Sequence, residues 1–193
     1  MLWKPEHIKN YLQVDKRDWY TFISALVCGL MAHMYMFTNK LPNYDDVLAT
    51  FDGCGSSYVL GRWGLGLIHE LRVLLIGNMS MSWLNGMFTL LMLALSSVLV
   101  VRILSIEDKG YAMLAGGILV VFPSVVSLMF FMFTAPYYSI AVLAGTVGVY
   151  CMEKKKYGWM NGLLLFCFSI SIYQAYLSWI AGLLILVLIR RSL

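Results

Sequence analysis

Long apolar runs broken by short polar clusters make up this chain, and the run lengths predict its elements. About 20 consecutive apolar residues are needed to cross the hydrocarbon core of a bilayer as a helix. Runs of that size occupy 19–38, 79–101 and 111–131. Shorter runs follow at 137–152, 158–172 and 175–189. Glu153-Lys154-Lys155-Lys156 closes the first of these. A turn at Tyr173-Gln174 divides the other two, which as one helix would overshoot the bilayer. The pattern predicts an all-α fold: a polytopic transmembrane helix bundle of about six spans, forming one membrane domain over residues 1–193. Pro123 inside the third run predicts a kink.

Charge sets the orientation. The tail, residues 1–18, carries Lys4, Glu6, Lys9, Asp15, Lys16, Arg17 and Asp18. That is too mixed for a secretory leader, and no small-residue cleavage site follows the first run, so the first span is expected to stay as an anchor. With this tail in the cytoplasm, Arg102, Lys109, Lys154, Lys155, Lys156, Arg190 and Arg191 also fall inside, and only Lys40, Arg62 and Arg72 fall outside. The positive-inside rule then predicts a multi-pass protein with both termini cytoplasmic.

Composition excludes a water-soluble globule. The chain is 61% hydrophobic and 12% charged, against roughly 45–50% and about 25% in soluble domains. That composition calls for a lipid bilayer as partner, not nucleic acid, and the distribution of the net charge of +4 matters more than its sum. Cys28, Cys54, Cys151 and Cys167 form no CxxC pair and read as structural. The spans carry no ionisable Asp, Glu, Lys or Arg at membrane depth, which counts against an ion-coupled transporter.

Residues 39–78 form the one long connection, on the outer side, where a binding or catalytic apparatus is expected. It holds the outward carboxylates Asp45, Asp46, Asp52 and Glu70. The adjacent Asp45 and Asp46 would repel each other's charge, raising one pKa into the range of a usable base; the alternative is a solvated turn or helix cap. In the second half, Trp63, Leu67, Ile68, Leu71, Leu74 and Leu75 recur at helical spacing and predict an interfacial helix over 60–76. Arg62 at its start supplies a bidentate cation, for a substrate phosphate or simply for a lipid headgroup. Trp63 is the aromatic type that seats at headgroup depth. Tyr137, Tyr138, Tyr173 and Gln174 lie near the outer ends of later spans, as substrate contacts or as interfacial anchors. His33 and His69 lack a third ligand, so no cofactor is expected. Asp45 with Asp46 or Asp52 could nonetheless supply oxygen ligands to a divalent ion.

The Asn43-Tyr44-Asp45-Asp46 opening of the outer loop, the Gly61-Arg62-Trp63-Gly64 element, and Ser171-Ile172-Tyr173-Gln174-Ala175-Tyr176 together resemble the bacterial O-antigen-modifying, serotype-converting membrane glucosyltransferases of the GT-C superfamily. The resemblance implies transfer of a glucosyl (hexosyl) residue from a polyprenyl-phosphate-linked donor to an extracytoplasmic cell-envelope glycan, in the bacterial cytoplasmic (inner) membrane. It implies an outer-loop aspartate, Asp45 or Asp46, as catalytic base. Arg62 would hold the donor phosphate, with Tyr44, Asp52, Trp63, Tyr137, Tyr173 and Gln174 as candidate substrate contacts. Members of that family are longer, so the chain reads as an N-terminal portion. The competing expectations are a lipid or glycan flippase or transporter, and an inactive truncated relative.

Overall fold

In a computed structural model of the chain, residues 14–39, 44, 58–77, 81–154 and 158–192 are described. Among them are eight helices and no strand: α1 Lys16–Thr38, α2 Trp63–Ile76, α3 Ser82–Ile103, α4 Lys109–Val121, α5 Pro123–Phe130, α6 Ala135–Lys154, α7 Gly158–Ile172 and α8 Tyr176–Ser192. Helices α1, α3 and α6 are each long and apolar enough to cross a membrane, and α4 with α5 qualify together as a bent pair.

The helix ends follow local side-chain chemistry more closely than hydropathy. The first apolar run begins at Trp19, yet α1 starts at Lys16 because Asp15 and Asp18 form a reciprocal cap. The Asp15 carboxylate accepts from the Lys16 N–H at 2.7 Å, and Asp18 accepts from the Asp15 N–H at 3.1 Å. Asp108 caps α4 by accepting from the Tyr111 N–H at 2.9 Å.

The run 111–131, expected as one span with a kink, is two helices bent by 41°. Phe122 is extended (φ −60°, ψ 144°), and Pro123 has no N–H to continue the ladder. Carbonyls at the end of α4 are thereby released, and His33 of α1 answers one of them: its Nε2–H donates to the Val120 carbonyl at 2.8 Å. This bond answers Nε2 alone; among the described residues the buried Nδ1 of His33 has no hydrogen-bond partner.

Helix α1 packs on α3 and α4, α3 on α6, and α6 on α7, with α8 against α6 and α7. Small residues permit the closest approaches, as is usual where lipid provides no hydrophobic drive. A Cβ on Gly162 would lie 3.0 Å from the Gly148 carbonyl oxygen, so α6 and α7 meet backbone to backbone. Outer faces display large apolar residues such as Met31, Leu114, Leu164 and Leu188, as expected where the solvent is hydrocarbon.

The two ends of the bundle differ. At one end, where α1 and α4 begin and α3, α6 and α8 finish, the described ion pairs gather: Asp18 with Arg17 and Arg102, and Glu153 with Arg190 and Arg191. Arg190 also donates to the Ile103 carbonyl and the Ser105 hydroxyl, and Arg17 to the Ile106 carbonyl, tying the first connection on this face to the last helix. Helix α2 sits at the opposite end, against α7 and α6.

Candidate functional site

Helix α2 is oriented by its least apolar face. Gly64, Leu65, Gly66 and His69 are buried, whereas Trp63, Leu67, Leu71, Leu74 and Leu75 point outward and are more than half exposed. In water that would be an inverted helix. For a helix lying along a membrane it is the expected arrangement, with an apolar stripe for lipid and a polar face for the protein.

Gly64 makes the docking possible. A Cβ there would lie 3.1 Å from the Ser171 carbonyl carbon, a backbone atom that cannot move aside as a side chain would. Leu65 fills the seam, packing with Phe133, Tyr137, Ala141 and Ile172. Gly64→Val is expected to weaken this docking by about 1–3 kcal/mol, the usual cost of overpacking. The check is the rate at which a maleimide labels Leu65→Cys, in a background without native cysteines: it should rise in the Val variant while helix content stays unchanged.

Ahead of the helix, Tyr58–Leu60 turn and Gly61 adopts φ +73°, a conformation that only glycine takes without strain. Gln174 fixes this turn by donating from Nε2 to the Leu60 carbonyl at 3.3 Å. The turn delivers Arg62 as the N-cap of α2. Its guanidinium carbon lies 4.6 Å from the centre of the Tyr173 ring. Tyr173 in turn belongs to an aromatic cluster, 5.2 Å from Tyr138 and 5.8 Å from Tyr176 between ring centres. Among the described residues no carboxylate pairs with Arg62, and its Nε is buried without a hydrogen-bond partner. A cation seated on an aromatic face with an unanswered donor has the chemistry to receive an anion.

Two turns further along the same face lies a second polar group. Arg72 donates from Nη1 to the Tyr137 hydroxyl at 3.1 Å, and His69 Nδ1 lies 3.2 Å from the same oxygen. Phe133 borders both, 5.1 Å from the Arg72 guanidinium and 5.7 Å from the His69 ring. Burial first, and the Arg72 charge second, push the His69 pKa below its ordinary value, so the ring is neutral near pH 7; Glu70 opposes this weakly. Glu70 is itself engaged, accepting from the Tyr58 hydroxyl at 2.7 Å, a bond that raises the phenol's pKa.

Of the residues expected from the sequence, Arg62, Tyr173 and Gln174 are brought together, with Tyr138 beside them. Tyr137 is buried and its hydroxyl is engaged by α2, while Trp63 is exposed on the outward face. Tyr44 is exposed. Asp45, Asp46 and Asp52 lie outside the described residues, as do residues 1–13 of the tail. His69 and Arg72 were not singled out as site residues. Their signal was the recurrence of residues 62, 65, 69 and 72 along one helical face. Among the described residues no group of three metal-ligating side chains occurs.

The described residues form a helical membrane bundle with a cationic, aromatic cluster at one end, the architecture of a polytopic membrane protein. The family comparison is more specific: the model of the family described as glucosyl transferase GtrII matches residues 34–193. The chain belongs to that family, and its activity is that of a glucosyltransferase. No curated protein and no solved structure matches it.

Proposed function

We propose that this chain moves a glucosyl residue from a polyprenyl-phosphate-linked donor to an extracytoplasmic cell-envelope glycan. The site of transfer is the outer face of a bacterial cytoplasmic membrane crossed six times, with both termini inside. The observation that carries the reading is Arg62, a cation stacked on Tyr173 with a buried, unanswered Nε, on a helix whose apolar stripe suits it to headgroup depth. A phosphate on a prenyl tail meets all three features: charge for Arg62, a lipid-facing position, and a sugar beside the tyrosines.

Transfer from a lipid phosphate needs less machinery than glycoside hydrolysis. An alkoxide leaving group must be protonated, and hence a glycosidase carries two carboxyls. A phosphate departs as a stable anion and needs only charge stabilisation. In this mechanism Asp45 or Asp46 takes the proton from the acceptor hydroxyl as its oxygen bonds to the anomeric carbon. The bond from that carbon to the phosphate oxygen breaks, and the electron pair leaves with the polyprenyl phosphate, whose growing charge Arg62 stabilises. One displacement inverts the anomeric configuration. Tyr44, Asp52, Trp63, Tyr137, Tyr173 and Gln174 are the candidate contacts around donor and acceptor.

The test is transfer of labelled glucose from polyprenyl-phosphate-glucose to envelope glycan in membranes containing the chain. Asp45→Asn or Asp46→Asn is expected to lower transfer about 10²–10⁴-fold, the usual worth of a general base. Full transfer by both variants would remove the aspartate base from the mechanism, and a flippase or transporter would tolerate both substitutions.

A further inference from the structure

We propose that Tyr58 is a positioning residue for Arg62: folded back along α2 onto Gly66 and Glu70, it closes the turn that presents the guanidinium to Tyr173. Its effect on transfer rests on the reading of Arg62 as the donor-phosphate site.

Arg62, Gly66 and Glu70 are spaced by four residues and so form one row along α2. Tyr58 lies on that row. A Cβ on Gly66 would stand 2.7 Å from Tyr58 Cζ and 2.8 Å from Cε2, closer than carbon atoms pack, so the space left by the absent side chain is the seat of the ring. Beyond the ring, the phenol donates to Glu70 Oε1 at 2.7 Å. The Gly61 N–H donates to the Tyr58 carbonyl at 3.1 Å and closes the turn. The Arg62 carbonyl accepts from the N–H groups of Leu65 and Gly66 at 3.0 and 3.2 Å. Arg62 is thus fixed on both sides, by the helix that follows it and by a turn pinned to that same helix. Gln174 is the second anchor of the turn, through the Leu60 carbonyl.

Tyr58 is 49% exposed, so its ring adds little to the core, and holding the turn is the larger consequence of its contacts. The Arg62 side chain is long and rotamer-rich, and its place 4.6 Å from the Tyr173 ring centre depends on where the backbone starts it. Negative charge on the phosphate grows as its bond to the anomeric carbon breaks. A guanidinium already in place therefore stabilises the transition state more than the bound donor. Loosening the turn should slow the chemical step and leave donor binding nearly intact, because the charge of Arg62 is still present.

The experiment uses the full chain in membranes, with polyprenyl-phosphate-glucose as donor and envelope glycan as acceptor. Tyr58→Phe keeps the ring on Gly66 and removes the bond to Glu70. It is expected to lower kcat about tenfold, the worth of one hydrogen bond, with the donor KM changed little. Glu70→Ala should match it. Glu70→Gln, whose amide oxygen still accepts from the phenol, should recover most of the loss. Tyr58→Phe added to Arg62→Gln should cost nothing further, since a residue that acts through Arg62 has nothing left to position. A readout independent of donor is phenylglyoxal labelling of Arg62, followed by peptide mass spectrometry. Its rate should rise in Tyr58→Phe and Glu70→Ala, by up to about tenfold. Unchanged labelling in Tyr58→Phe overturns the inference whatever happens to transfer. An unchanged kcat in Tyr58→Phe, or the same factor of loss in the parent and Arg62→Gln backgrounds, overturns it as well, the latter being the mark of a merely structural residue. Unchanged transfer in Arg62→Gln alone overturns the donor reading of Arg62 and with it any effect of Tyr58 on transfer, while labelling still decides whether Tyr58 positions Arg62.

Discussion

Arg62→Gln is expected to lower glucosyl transfer by about 10²-fold or more, the loss that follows removal of one preorganised charge from a developing anion. The side chain is half-buried at the N-cap of α2, and among the described residues its charge is engaged by the Tyr173 ring and by no ion pair. The amount of protein in the membrane should stay unchanged. Arg62→Lys should restore only part of the activity, because an ammonium keeps the charge but loses both the planar stack on Tyr173 and the two-pronged grip on phosphate. Tyr173→Leu, which removes the stacking partner, should resemble Arg62→Lys more than Arg62→Gln. The measurement is initial rate against donor concentration for all three. Equal rates in parent and Arg62→Gln would move the phosphate elsewhere.

The second large effect concerns stability. Asp18 is buried and accepts from Arg102 at 3.0 Å (Nε) and 2.5 Å (Nη2), and from Arg17 at 3.3 Å, while also closing the cap of α1. Removing one partner of a buried pair strands the other charge, a loss of about 3–5 kcal/mol. Asp18→Leu is therefore expected to be strongly destabilising in detergent-titration unfolding. Asp18→Leu with Arg102→Leu should be milder than the single change, because Arg102 is no longer left without its counterion, and Arg17 keeps its bond to the Ile106 carbonyl. If the double variant is instead worse than the single, Arg102 has enough other contacts to hold its place, and the pair contributes less than its burial suggests.

Much of the architecture is readable from apolar run length, because a bilayer imposes one length on every span. Side chains acting across space are what that criterion misses. Asp18 reads as part of a solvated tail, being flanked by Lys16, Arg17 and Trp19, and only folding shows Arg102, far along the chain, closing over it. The helical period of α2 is equally visible in the sequence, yet periodicity does not say which face meets the protein. Glycines carry that information here: Gly64 and Gly66 mark the face that approaches other groups closely. Arg62 stands out because a lone arginine beside glycine and tryptophan is conspicuous, and its partners Tyr173 and Gln174 fall at a visible break between apolar runs. The group of His69, Arg72 and Tyr137 does not stand out, since the tyrosine joins the two α2 residues only when α6 is packed against them.

The bond from His33 to the Val120 carbonyl also constrains how the protein is made. A carbonyl released by a proline break is costly in hydrocarbon unless something donates to it, by several kcal/mol. The donor for this one lies on α1, which emerges from the ribosome before the break at Pro123. The segment containing Pro123 is thus poorly suited to enter lipid alone, and well suited to enter against a helix already waiting there. Biogenesis of this bundle should be sequential, with α1 acting as an internal chaperone for the broken helix.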